Sequence, residues 1–236
     1  MRITVLNGTD VVGCTYQIKE GFLGPLRNSH EIIEFYPKDM PQFCCGCKIC
    51  FLKDAALCPS ADKVMPIWQA IMAADLIVVA APVYGLGIPA ALKALLDHLC
   101  VRWMVHRPEE DMFTKRAVVI TNCIGPPFLA KSAQRDVVNT LSWLGISGIK
   151  RLGIGLMEGV IWEELSLKRR EDILKKAKNV GGKCTAIRPA GKSVKTRLRF
   201  LMCAKMQKSV LKKQKEPTAD NLHWIERGWI KSGDWV

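Results

Sequence analysis

The chain has 236 residues, 49% of them hydrophobic, and a formal charge of +13, which suits one globular core with at most an appendage and excludes a low-hydrophobicity disordered chain. From Gly191 onward, eleven Lys or Arg face four Asp or Glu. More than half of the excess charge therefore sits in the last fifth of the chain, which argues against nucleic-acid binding by the protein as a whole.

No run of eighteen apolar residues occurs, and Met1 leads straight into a strand-like segment without a charged n-region and cleavage site, so the chain is expected to be soluble and cytoplasmic. Ten cysteines in such a protein are expected to be reduced thiols or metal ligands rather than a disulfide framework.

In chain order, apolar runs at Ile3 to Leu6, Ile32 to Tyr36, Leu76 to Ala81, Ala117 to Thr121 and Ile149 to Leu156 read as strands buried on both faces, the pattern of a parallel sheet. Helical stretches fall between them at Tyr16 to Leu23, Val64 to Ala74, Pro89 to Val101 and Lys131 to Leu144. A further helix spans about Leu165 to Val180, where Gly181-Gly182 would stop it. This alternation predicts an α/β doubly wound, five-stranded parallel sheet over residues 1–187, with ligands at the carboxyl ends of its strands. A basic helical C-terminal extension, 188–236, follows.

In that extension Val194 to Lys213 reads as a helix with Leu198, Leu201, Met202, Met206 and Val210 near one stripe and basic residues over much of the rest. A membrane-surface or partner-binding helix would show this pattern, and so would a helix packed on its own domain or on a second subunit. Trp224, Trp229 and Trp235 favour packing, because tryptophans at a terminus dock.

Three loops carry the chemistry. After the first strand, Asn7 to Thr15 enters a helix, and a phosphate monoester there would receive backbone N–H groups, the positive helix end and the hydroxyls of Thr9 and Thr15, with Gly13 allowing close approach. After the third strand, Pro82, Val83, Tyr84 and Gly85 offer an aromatic ring, backbone hydrogen bonds and an open surface. After the fourth comes a Gly-Pro-Pro connection, Asn122 to Pro127, with Gly125. Each loop taken alone also reads as an ordinary connection. Separately, Cys44, Cys47, Cys50 and Cys58, the last followed by Pro59, have spacing like that of an iron-sulfur run. A metal-free thiol loop and a zinc site are the alternatives, although three crowded thiols fit zinc knuckles less well. Arg102, His106 and Arg107 offer a meeting point for an anionic substrate or a dinucleotide phosphate.

The cysteine run and the segment from Ala81 to Asp97 (APVYGLGIPAALKALLD) resemble the flavodoxin-like NAD(P)H-dependent FMN oxidoreductases, in particular the iron-sulfur flavoproteins, over roughly Met1 to Thr185. The resemblance implies a flavodoxin-like fold. It also implies FMN with its phosphate at Thr9, Gly13, Cys14 and Thr15, and its ring framed by Pro82, Val83, Tyr84, Gly85, Asn122 and Gly125. A [4Fe-4S] cluster on Cys44, Cys47, Cys50 and Cys58 and a homodimer are implied as well. The loop departs from the family, with Asp10-Val11 in place of a Pro-Arg pair and Cys14 in place of Asn. The expected activity is FMN-dependent transfer of electrons from NAD(P)H, or through the cluster, to a small-molecule acceptor. The alternatives are a non-catalytic carrier exchanging electrons with a ferredoxin and a membrane-surface or partner-binding module built on the basic tail.

Overall fold

The computed structural model describes residues 1–186, 189–214 and 216–231. Its strands β1 (Arg2–Asn7), β2 (Glu31–Phe35), β3 (Leu76–Pro82), β4 (Arg116–Cys123) and β5 (Gly148–Gly155) pair wholly in parallel in the order β2-β1-β3-β4-β5. The helices are α1 (Cys14–Arg27), α2 (Ile49–Leu52), α3 (Ala61–Ala73), α4 (Ala90–His98), α5 (Lys131–Trp143), α6 (Leu167–Gly182), α7 (Val194–Lys213) and α8 (Ala219–Glu226). This is the doubly wound parallel sheet expected from the apolar runs and the flavodoxin-like architecture that the resemblance implies, with a helical C-terminal region. The expected boundary between the two parts falls on residues 187–188, outside the described residues.

Every residue of β3 is buried, which is why the run lacks polar alternation. Ile77, Val79 and Ala81 meet Trp68 and Ile71 of α3, Leu92 and Leu95 of α4 and Leu141 of α5, while Leu76, Val78 and Ala80 meet Ile18, Phe22 and Leu26 of α1 and Ile173 of α6. The chain reverses its winding between β1 and β3, so the loops leaving those strands flank one crevice.

The expected glycine pair does mark the end of α6, with Gly181 inside its last turn. α6 continues to Gly182, and a Cβ on Gly181 would lie 2.0 Å from the carbonyl oxygen of Phe22, so this glycine lets α6 approach the backbone of α1. Gly181→Ala is expected to cost about 1–3 kcal/mol through overpacking, read as a lower denaturation midpoint at unchanged slope.

α1 is also held by charge. The fully buried Lys19 donates to Glu34 at 2.6 Å, and Asn7 at the end of β1 donates to the same carboxylate at 3.2 Å. Burial opposes both charges, yet the pairing prevails, holding the Glu34 carboxyl below and the Lys19 ammonium above their ordinary ranges. The stabilisation is thus present above the ordinary Glu value and lost as pH falls through the lowered one. On the alkaline side it is present below the ordinary Lys value and lost as pH rises through the raised one. Glu34→Gln should flatten the acid limb of a stability-against-pH curve.

The tail docks as its tryptophans predict, with Trp224 fully buried among Met104, Phe113, Cys203 and Leu211. Trp235 lies outside the described residues.

Candidate functional site

A cavity of about 280 Å³ opens at the carboxyl edge of the sheet. It is lined by Thr9, Val11, Gly13, Cys14, Thr15, Pro82, Val83, Tyr84, Asn122, Cys123, Ile124, Leu156 and Val160. Eight of the ten expected cofactor residues are among them. Gly85 and Gly125 are not, and both have positive φ, +54° and +85°. They shape the loops instead of walling the cavity.

The phosphate end rests on the start of α1. Gly13 is its N-cap, with no side chain satisfying the first-turn N–H groups and no acidic residue in that turn. Those unpaired donors and the positive helix end make an anion seat. A Cβ on Gly13 would meet no atom closer than Val11 Cγ1 at 3.6 Å, so the fold does not require glycine there. By contrast, a Cβ on Gly8 would reach Ala81 Cβ at 2.9 Å, and that glycine belongs to sheet packing. The Thr9 hydroxyl accepts from Val11 N–H at 3.1 Å, and the Thr15 hydroxyl donates to Asn122 Oδ1 at 2.5 Å, tying the first loop to β4 beneath the cavity. Burial pushes the Cys14 thiol up, and the Glu163 and Glu164 carboxylates add to the effect. No lysine or arginine lines the cavity among the described residues.

The second loop is a tight turn. Tyr84 and Gly87 exchange two backbone hydrogen bonds of 3.0 and 2.9 Å, with Gly85 and Leu86 both at positive φ, the geometry of a type I′ turn. Leu86 at +62° is strained for a side-chain-bearing residue, and its carbonyl accepts from Ser132 of α5. The turn holds Tyr84, 57% exposed, at the rim. Val83 N–H bonds Asn122 O at 2.9 Å, joining second and third loops.

Sequence reasoning missed the fourth wall, Leu156 and Val160, from the loop after β5. The signal was available, since a fifth parallel strand ends on the same edge as the others. Val11, Ile124 and Val160 line the cavity and are all more than half exposed, an apolar rim of the kind that marks a binding surface. A larger cavity of about 480 Å³, lined by Arg116, Lys150 and Lys183, opens at the amino edge of β4 and β5. Ligands in this architecture sit at the opposite edge, and the smaller cavity is the one with the loop chemistry.

Cys44, Cys47, Cys50 and Cys58 line one further cavity together with Cys45, His98 and Cys100. Cys100 and His98 were not foreseen as parts of this group, and the last residue of α4 is His98. Its Nδ1 lies 3.6 Å from Cys58 Sγ and its Nε2 3.0 Å from Gln42 O. Burial, then Cys50 and Cys44, push the Cys100 thiol up to about 11. Among the described residues no three His, Cys, Asp or Glu side chains gather closely enough for a single metal ion. A four-iron cube needs its thiolates spread around a wider body, as around a cavity. Lys48 at φ 62° and Gly46 at 69° turn the loop there.

Arg102, His106 and Arg107 are engaged within the protein. Arg102 stacks 5.3 Å from the Trp68 ring, while His106 and Arg107 both hold Asp220 of α8, at 2.8 and 2.9 Å. His106 and Arg107 thereby fasten the tail.

Residues 1–154 match the family model described as NADPH-dependent FMN reductase. An FMN-dependent NADH:quinone oxidoreductase from a Bradyrhizobium species is 29% identical over 45% of this chain, a match spanning 57% of that relative's length. An iron-sulfur flavoprotein from Archaeoglobus fulgidus is 24% identical over 80% of each chain. Among solved structures, an NAD(P)H:quinone oxidoreductase from Methanothermobacter marburgensis shares the fold at a TM-score of 0.64 and 17% identity, covering 79% of this chain and 97% of its own. A Bacillus anthracis FMN-dependent NADH-azoreductase in complex with FMN gives 0.60 and 14% over 79% of this chain and 100% of its own.

Proposed function

Because the chain belongs to the NADPH-dependent FMN reductase family, we propose that it is an FMN-dependent oxidoreductase drawing electrons from NAD(P)H and delivering them to a small, flat acceptor such as a quinone. FMN, when bound, would supply hydride and two-electron chemistry between NAD(P)H and the acceptor, held by the residues that line the cavity. The first-turn N–H groups of α1, with Thr9, Gly13, Cys14 and Thr15, hold the phosphate. Pro82, Val83, Tyr84 and Asn122 frame the ring, while Gly85 and Gly125 set the loops that carry the frame. Tyr84 and the apolar mouth exclude water and give an aromatic acceptor a surface to lie on. Since no cation among the described residues lines the cavity, backbone dipoles carry the phosphate charge.

The observation that carries this reading is the convergence of three strand-end loops on one cavity at an uncapped helix start. The experiment is NADH and NADPH oxidation by the FMN-loaded chain with and without a soluble benzoquinone. Turnover that depends on the quinone is expected. FMN-loaded protein that leaves both nucleotides unoxidised while reducing or oxidising a ferredoxin would favour the carrier reading.

The shared thiol cavity, together with the similarity to a relative named iron-sulfur flavoprotein, supports a second element. Cys44, Cys47, Cys50 and Cys58 would hold a [4Fe-4S] cluster, which supplies one-electron transfer. Protein purified without oxygen should carry iron and sulfide in equal amounts. Flavin bands without iron would remove the cluster and leave the flavin reading intact.

A further inference from the structure

α7 faces its own domain with the side opposite to the one its apolar stripe suggests. Thr196, Cys203, Gln207 and Leu211 are buried, Phe200 stacks 5.0 Å from Trp224, and Gln207 donates to Val105 O at 2.6 Å. At 3.6 residues per turn these positions share one side. The stripe expected to dock points away: Leu198 is 62% exposed, Leu201 64%, Met202 50%, Met206 46% and Val210 37%, and Val194, one turn before Leu198, is 76% exposed. Lys205 and Lys212 continue the strip begun by Val194, Leu198 and Leu201, and both are exposed. The twenty residues of α7 contain seven Lys or Arg and no Asp or Glu.

Single exposed aliphatic residues need no explanation, but this strip puts consecutive apolar turns beside a run of cations. A protein partner with an acidic face would answer the charge, whereas the flexible Leu and Met side chains offer no shaped pocket for its side chains. A bilayer answers both features at once, with phosphates for the lysines and an acyl boundary for the apolar turns. No helix among the described residues is long and apolar enough to cross a membrane, so the contact is one of lying on the surface.

We propose that the outer face of α7 docks the protein on an anionic phospholipid surface, with Val194, Leu198, Leu201 and Met202 entering the interface and Lys195, Lys205 and Lys212 meeting headgroup phosphates. The full chain should sediment with vesicles of phosphatidylcholine containing about one-third phosphatidylglycerol, remain free of vesicles of phosphatidylcholine alone, and be released as salt rises. The double variant Leu198→Ser, Leu201→Ser should bind at least about tenfold more weakly, and Lys205→Gln and Lys212→Gln about fivefold each. Because these side chains are exposed, thermal unfolding should be little changed. The proposal is overturned by absence of binding to anionic vesicles at low salt, by equal binding to both vesicle types, or by binding that survives both sets of substitutions. It is equally overturned if sedimentation velocity shows a dimer that the leucine variant dissolves, or if an acidic ferredoxin competes for the leucines while vesicles do not bind.

Discussion

Gly13→Asp should abolish tight FMN binding without weakening the fold. Residue 13 caps α1 with extended backbone (φ −121°, ψ −151°) and open space around its missing Cβ, so an aspartate fits and its carboxylate can accept the first-turn N–H groups, as N-caps do. Stability should hold or rise by a few tenths of a kcal/mol. The same carboxylate then occupies the seat of the phosphate. Like charges about 4 Å apart at a protein surface repel by about 4 kcal/mol, so FMN affinity should fall at least about a hundredfold. Riboflavin, lacking the phosphate, should lose far less. A parallel loss of both flavins would mean that residue 13 acts through loop shape, and an unchanged FMN affinity would place the phosphate elsewhere.

Trp224→Ala should be the most destabilising single change in the tail. The ring is fully buried, stacks on Phe200, meets Trp229 at 5.2 Å, and donates through Nε1 to His106 O at 2.6 Å. Its removal leaves a large cavity and an unpaired carbonyl, at a cost of about 3–5 kcal/mol. Met104 and Phe113 of the sheet-bearing part share this cluster, so denaturation should remain a single transition at lower denaturant. A separate early transition would mark the tail as an independent unit. No cavity-lining residue belongs to the cluster, so FMN affinity should stay within about twofold.

The sheet could be read from the sequence because β3 and β4 are buried on both faces, and a run such as LIVVAA or AVVIT has few other uses in a chain of this kind. The loops could be read because Gly, Pro and Thr at strand ends stand where the winding places ligands. What could not be read depended on contacts between distant segments. The packing role of Gly181, beside its place at the helix end, was hidden because its partner, the Phe22 carbonyl, is about 160 residues away along the chain. Arg107 and His106 looked available because Asp220 is similarly remote. In α7 both faces carry apolar residues, and contacts with remote groups, Trp224 against Phe200 and Val105 O against Gln207, turn one of them inward.

The most direct measurement is an equilibrium titration of flavin-free protein with FMN and with riboflavin, followed by quenching of flavin fluorescence. One FMN per chain should bind, at least about a hundredfold more tightly than riboflavin, because the α1 start contributes only when a phosphate is present. Equal affinity for the two flavins, or uptake of neither, would contradict the account.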